Sequence, residues 1–540
     1  MAAGARARGL ADVLERYAVP VLVVLAVAGF VLRAGGVGRI GFAEDEINKL
    51  EAVRAYDRGD FTENAEHPMV MKALIYASVH AADWWNARAV EGGALKISDE
   101  AAVRFPNVLF GTLTVLPIFL LTSVFFGRRT GLVAAALWAT GVGAVTYNRV
   151  AKEDTLLVFF LLFALYFYIR AKLASGFDPS AKRRGYVLSA VSWGLMFASK
   201  YFPHYFGLNM LYHYLFHVRE REPGEPRGNT PAVFYLVVAA TFLLVNPAVL
   251  SPKTWAYLSA YSSEGLLTHH GYLMGETLYH NVVSKAPFGA TPVYFYLLYL
   301  LTKTPLPVLF AFAAGLVALW RGRREPGAAF LLFMLLFWIV PYSLFGAKWL
   351  RYTLSLMPFV YMTAAVGVVA LTRRLTGLLR AEHRAGLAGV AGALSLALFV
   401  GVPAWGAVQA APHYALYTSA LAPRPPGYYF PHDELYDDGL REAVRYVAEH
   451  APPGATIAHE TPGVVSYYLA RFGREDLRSE VISDPHFDVT DAPGPVYAVL
   501  QRGRTYFENQ AEMQRVRADF KPETRIVIDG VVAAEVYSRE

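Results

Sequence analysis

Glu44, Asp45 and Glu46 form three consecutive carboxylates just after the apolar run 17–38. Bases gather toward the same end of the spans from distant segments. Arg149 and Lys152 stand beside Glu153 and Asp154 in YNRVAKEDTLLVFF, Lys200 lies in ASKYFPHY, and Lys348 and Arg351 lie in GAKWLRYTL. Arg104 sits at the outer edge of the segment VRFPNVLFGTL. A carboxylate can take the proton of a hydroxyl. Cations stabilise negative charge developing on a departing phosphate. Together they suit the transfer of a sugar from a lipid phosphate to a hydroxyl, and an amphipathic donor requires such a site at the bilayer surface. Each group also has a plainer reading. Acids are favoured at helix starts by capping and the macrodipole, Asp154 can simply pair with Arg149, and basic side chains at span ends reach for headgroups.

The elements that must position these groups follow from composition. The chain has 540 residues, 55% hydrophobic and 17% charged, with a mean hydropathy of +0.31. That is the profile of a polytopic membrane protein. About eleven spans are predicted by hydropathy, near 17–38, 105–126, 131–147, 155–172, 185–200, 202–217, 231–250, 297–320, 327–346, 352–371 and 386–409. With that count the basic clusters GRRTG, RAKLASGFDPSAKRR, HVRERE, RGRRE and TRRLTGLLRAEHR fall on one side with the amino terminus, which the positive-inside rule makes cytoplasmic. The loop 39–104, the loop 251–296 and the tail 412–540 are then extracytoplasmic. Ile47, Leu50, Val53 and Tyr56 recur three apart, which predicts an interfacial amphipathic helix after the acids. The polar tail shows helix patterning in DDGLREAVRYVAEH and strand-like runs in ATIAHE, PVYAVLQ and TRIVIDGVVAAEVYS, which predicts a small α/β domain. Residues 1–411 would form the transmembrane domain. The chain has no cysteine, which excludes disulfides, thiolate metal sites and cysteine nucleophiles. The basic clusters report topology and not nucleic-acid binding. Glu264, His269 and His270 in EGLLTHHGYLMGET are weak candidates for a divalent metal. The stretch YYFPHDELYDDG reads either as a sugar-binding edge or as a capped turn leading into the tail.

These motifs resemble those of the integral-membrane glycosyltransferases of the GT-C fold, in particular the protein O-mannosyltransferase-like group and, more distantly, the aminoarabinose transferases acting on lipid A. Asp45-Glu46 is similar to the group's Asp-Glu pair in its first outer loop. EHPMVMKALI, with Glu66, His67, Pro68 and Lys72, resembles its EHPPLGKLLI stretch, and NRVAKEDTLLVFF resembles its Arg-x-x-x-x-Asp hairpin. GLMFASKYF and KTPLP match further segments and bring in Lys200 and Lys303. Met69 and Met71 replace a proline and a glycine of the group, and the loop 251–296 is too short for a β-trefoil. The resemblance implies an inverting single displacement with no firmly implied cofactor. The donor would be a polyprenyl-phosphate sugar and the acceptor a hydroxyl of a protein, glycan or lipid. Asp45 would be the base, with Glu46 and Asp154 as further site acids. His67, Lys72, Arg104, Arg149, Glu153, Lys200, Lys303, Lys348 and Arg351 would bind substrate or the lipid phosphate. A competing class, a transporter or flippase of lipid-linked sugars, would show paired repeats and broken helices at mid-membrane.

Overall fold

The computed structural model describes residues 17–89, 96–173, 179–201, 205, 230–262, 270–381 and 384–540. Up to residue 409 the described residues are mainly helical. In order, the helices are α1 (Ala18–Ala34), α2 (Glu44–Asp57), α3 (Met69–Asn86), α4 (Asp99–Leu113), α5 (Val115–Phe126), α6 (Arg128–Thr140), α7 (Val142–Tyr147), α8 (Asp154–Leu173), α9 (Pro179–Phe197), α10 (Thr230–Val245), α11 (Pro252–Ser262), α12 (Phe295–Lys303), α13 (Leu306–Arg321), α14 (Pro326–Leu344), α15 (Met357–Ala381), α16 (Ala385–Leu396) and α17 (Val402–Gln409). Among the described residues five helical stretches are long and apolar enough to cross a membrane: Asp99–Phe126, Asp154–Leu173, Pro326–Leu344, Met357–Ala381 and Gly386–Gln409. Ala18–Ala34, Ala232–Val245 and Leu306–Arg321 are shorter apolar helices.

Two stretches predicted as single spans are interrupted. Over 131–147 the helix stops at Thr140 and restarts at Val142. A Cβ on the intervening Gly141 would lie 2.2 Å from the Tyr361 hydroxyl and 2.4 Å from the Leu137 carbonyl oxygen, so only glycine fits there. Over 297–320 the break falls at Thr304 and Pro305. Proline has no N–H to continue α12 and is well placed to begin α13. The predicted span 202–217 lies, Tyr205 apart, outside the described residues.

The first outer segment contains α2 and α3. Three acids in the first turn of α2 favour its start, and Glu46 accepts the N–H of Ala43 at 3.1 Å. Ile47, Leu50 and Val53 are buried on its inner face.

The last residues add α18 (Pro431–Leu435), α19 (Leu440–His450), α20 (Pro462–Arg471), α21 (Gln510–Asp519) and a five-stranded sheet. A separate hairpin, β1 (Tyr272–Met274) and β2 (Thr277–Tyr279), precedes it in the chain. The sheet contains β3 (Thr456–His459), β4 (Arg478–Val481), β5 (Val496–Gln501), β6 (Lys521–Ile528) and β7 (Val531–Arg539) in the order β4-β3-β5-β7-β6. β3 runs parallel to β4 and β5, while β7 is antiparallel to β5 and β6. One face packs Ala458, Val496, Leu500, Met513 and Val516 together. Ile457, Val499 and Val536 belong to a different apolar cluster, which holds Leu440, Val444 and Val465 of α19 and α20 together with Ile47, Leu50 and Val53 of α2 and Met71 and Ile75 of α3. The tail and the first outer segment thus share one core.

Candidate active site

Asp45 lies in the first turn of α2 with its side chain about one-third exposed. Three groups converge on one of its oxygens, Oδ2. Lys152 Nζ is at 2.8 Å, the Tyr436 hydroxyl donates at 2.7 Å, and a guanidinium nitrogen of Arg351 stands at 3.6 Å. Burial alone would raise the pKa of this carboxyl; the charges of Lys152, Arg351 and Lys49 outweigh it and hold it well below the usual carboxylate range. Burial also pushes Lys152 down to about 8, with the Asp45 charge opposing the shift.

Lys152 is held by its backbone. Its hairpin joins α7 to α8, and Asn107 of α4 fixes it by donating to the carbonyls of Val150 and Lys152, the latter at 2.7 Å. Asp154 opens α8, where the macrodipole favours an acid, and pairs with Lys200 at 2.6 Å, not with Arg149. Lys200 also lies over the Tyr352 ring at 4.9 Å. Arg351 stacks near Trp349, 4.8 Å from the ring centroid. Of these groups Lys152, Asp154, Arg351 and Tyr436 line a cavity of about 80 Å³, whose other wall is the tail, with Asp433 and Glu434 among its residues.

Several candidate residues are occupied by the scaffold. Glu46 is fully buried and accepts from Arg104 Nε at 2.8 Å, from the N–H of Ala151 at 2.8 Å and from the N–H of Ala43. Arg104 also donates to the carbonyls of Val37, Ile40 and Gly41 and so fixes the turn before α2. Arg149 caps the end of α1 through the carbonyls of Leu32, Arg33 and Gly35, although its other terminal nitrogen has no hydrogen-bond partner beside the cavity. Lys72 donates to the carbonyls of Glu63 and Asn64 and ties that loop to α3. Glu153 pairs with Lys49 at 3.0 Å, and His67 Nδ1 lies 3.7 Å from the same oxygen. Lys348 donates to the carbonyls of Thr291 and Phe345. Lys303, at the break before Pro305, pairs with Glu434 of the tail at 3.0 Å and donates to the carbonyls of Ala415 and Tyr417. His270 is bonded to Glu508 at 2.9 Å, and Glu264 and His269 lie outside the described residues. Among the described residues no group of three His, Asp or Glu is arranged to hold a metal ion.

Sequence reasoning gave neither Lys49 nor Tyr436 an individual site role. Lys49 carried a signal, since it stands one helical turn after Asp45. Tyr436 lies in YYFPHDELYDDG, read as a sugar-binding edge or a capped turn, but nothing there pointed to Asp45. The tyrosine lies 391 residues from its partner, and the turn that aims it is not written in any periodicity.

Two family models match the chain: the dolichyl-phosphate-mannose-protein mannosyltransferase model over residues 92–251 and the Alg9-like mannosyltransferase model over residues 272–413. By sequence, no curated protein matches it. Among solved structures it is similar to ArnT from Cupriavidus metallidurans bound to undecaprenyl phosphate, at 12% identity over 97% of this chain and 98% of that one, with a TM-score of 0.52. The apo form of the same protein matches at 13% identity over the same shares, with a TM-score of 0.54. The Archaeoglobus fulgidus oligosaccharyltransferase tethered with an acceptor peptide is similar at 12% identity over 90% of this chain and 69% of that one, with a TM-score of 0.53. The chain has the GT-C fold, the fold of integral-membrane glycosyltransferases. Both matched family models describe mannosyltransferases, and neither describes a transporter.

Proposed function

We propose that this chain is an inverting glycosyltransferase that moves a sugar from a polyprenyl-phosphate donor to a hydroxyl acceptor at the extracytoplasmic face of a cell membrane. The observation that carries the reading is Asp45, a partly exposed carboxylate in contact with Lys152 and Arg351, which themselves line a cavity. The solved ArnT structure with undecaprenyl phosphate is consistent with a donor of this class. The topology that fits is about eleven spans, with the amino terminus cytoplasmic and residues 412–540 outside.

In the proposed step, the acceptor hydroxyl donates its hydrogen to Asp45. Its oxygen attacks the anomeric carbon opposite the lipid phosphate, the bond from that carbon to the phosphate oxygen breaks, and the proton passes to Asp45. Lys152 and Arg351 take the charge left on the phosphate. Arg presents a planar fork to phosphate oxygens and Lys a point charge. These cations also explain how so acidic a carboxylate serves as a base. A bound phosphate draws Lys152 and Arg351 from Asp45, and the carboxylate becomes more basic as they leave. Donor binding therefore precedes acceptor activation. Asp154 holds Lys200 at the rim, while Glu46 and Arg104 act as positioning residues for the turn that carries Asp45.

The test is a panel of labelled polyprenyl-phosphate sugars, mannosyl and aminoarabinosyl included, supplied to membranes containing wild type or Asp45→Asn. Transfer by wild type and loss in the variant are expected. Transfer undiminished in Asp45→Asn would remove Asp45 as the base, and the absence of transfer from every donor would favour a transporter of lipid-linked sugars.

A further inference from the structure

The segment Pro431–Gly439, PHDELYDDG, crosses the catalytic face before the tail sheet begins. α18 ends in left-handed residues, Tyr436 at φ +41°, Asp437 at φ +64° and, two residues later, Gly439 at φ +86°. Such angles are unfavourable for tyrosine and aspartate, and contacts from outside the turn hold them. Arg504 grips both oxygens of Asp437, which also accepts the N–H of Glu44 at 3.0 Å. Glu44 in turn pairs with Arg504 at 2.6 Å. Just before the turn, Asp433 accepts the N–H of Leu350 at 3.2 Å and Glu434 binds Lys303. The turn is therefore clamped to α2 and to the segments around Lys303 and Leu350. Its effect is to aim one phenol O–H at Asp45 Oδ2.

We propose that Tyr436 occupies the place of the acceptor hydroxyl, so that Pro431–Gly439 is a strap which the acceptor must displace. The inference rests on the transferase reading above. An acceptor about to lose its proton must donate an O–H hydrogen bond to the base, and Tyr436 makes that bond at 2.7 Å. The phenol stays protonated, because burial and the Asp45 charge raise its pKa well above the usual range. Tyr436 is half-buried and lines the same cavity as Lys152 and Arg351. While the phenol is in place, Oδ2 of Asp45 is engaged by it and does not accept a proton from water, and a bound donor is protected from hydrolysis until an acceptor arrives.

The test uses the purified full-length chain in lipid nanodiscs, as wild type, Tyr436→Phe, Asp45→Asn and the double variant. Undecaprenyl-phosphate-mannose and undecaprenyl-phosphate-aminoarabinose serve as probes, and release of undecaprenyl phosphate is measured without acceptor. A parallel measurement labels carboxylates with a water-soluble carbodiimide and an amine and reads Asp45 by peptide mass spectrometry. Tyr436→Phe is expected to raise both water-driven release and Asp45 labelling roughly 3- to 10-fold, the scale of one hydrogen bond, and the gain in release is expected to vanish in the double variant. Labelling unchanged or lowered, in a variant that melts like wild type, overturns the proposal. So does release that falls while labelling rises, which would make Tyr436 a positioning residue for the base. Raised labelling with no release from either probe keeps Tyr436 as the cover on Asp45 and counts instead against the transferase reading.

Discussion

At the scale of residues, two acids that are neighbours in sequence have different surroundings. Asp45 is met by two cations and a phenol beside a cavity, whereas Glu46 is enclosed by Arg104 and two backbone N–H groups. Asp45→Asn is expected to lower transfer about 10²- to 10⁴-fold, the range for a general base, with an unchanged melting temperature as the control. Glu46→Ala leaves a buried guanidinium without its acid and is expected to destabilise the chain by about 3–5 kcal/mol, which thermal unfolding in detergent would read. The sequence pointed to both acids and to the Arg149–Asp154 hairpin, because unusual charge at a span end is conspicuous. It did not separate Arg104, Arg149, Lys72 and Lys348 from phosphate ligands. All four donate to backbone carbonyls, which every residue possesses and no motif records, and Arg104 adds the Glu46 carboxylate. The partner of Lys303 was hidden for another reason, because Glu434 lies in the tail and only the fold brings it near.

At the scale of elements, helix contacts depend on small residues. α13 and α15 cross where a Cβ on Gly315 would meet the Thr363 carbonyl oxygen at 2.0 Å and one on Gly367 would meet the Ala311 carbonyl oxygen at 1.9 Å. Such close approach is typical of membrane helix pairs. Gly367→Val is expected to force the pair apart at about 1–3 kcal/mol or more, seen as a lower melting temperature, whereas Gly377→Ala, where nothing stands within 4 Å, should leave it unchanged. Hydropathy located most helices because a bilayer demands long apolar runs. It could not see the interruption at Gly141, since the residues on either side are equally apolar. The predicted span 297–320 ran through Pro305, so neither the break there nor its consequence, a buried Lys303 facing the tail, was foreseen.

At the scale of the whole molecule, the shared apolar cluster joins the tail sheet to α2 and α3. Tyr468 of α20 adds polar ties, accepting the N–H of Phe42 at 2.8 Å and donating to Glu100 at 3.0 Å. A chain ending at residue 411 is therefore expected to lose transfer and to melt lower, and not merely to lack an appendage. The tail also carries a pH response. Glu460 is bonded to Asn509 at 2.7 Å and Ser483 at 2.8 Å, and burial pushes its pKa from 4.5 up to about 7. Between these values the folded chain retains a proton that the unfolded chain has released, so stability falls as pH rises from about 4.5 to 7 and is then level. Glu460→Gln keeps the shape without the titration. It is expected to flatten that fall, which amounts to roughly 3 kcal/mol, and to raise the melting temperature at pH 8 relative to wild type more than at pH 4.5.

The contact between Tyr436 and Asp45 also sets an order of biogenesis. The two residues are 391 positions apart. At about 5–20 residues per second, the ribosome makes the second roughly 20–80 s after the first. Through that interval the nascent chain has a catalytic acid but neither the strap that covers it nor the sheet that completes the core beneath it. A newly made molecule thus acquires its guard late, and a chain stalled before the tail would leave an uncovered carboxylate among lipid-linked sugars.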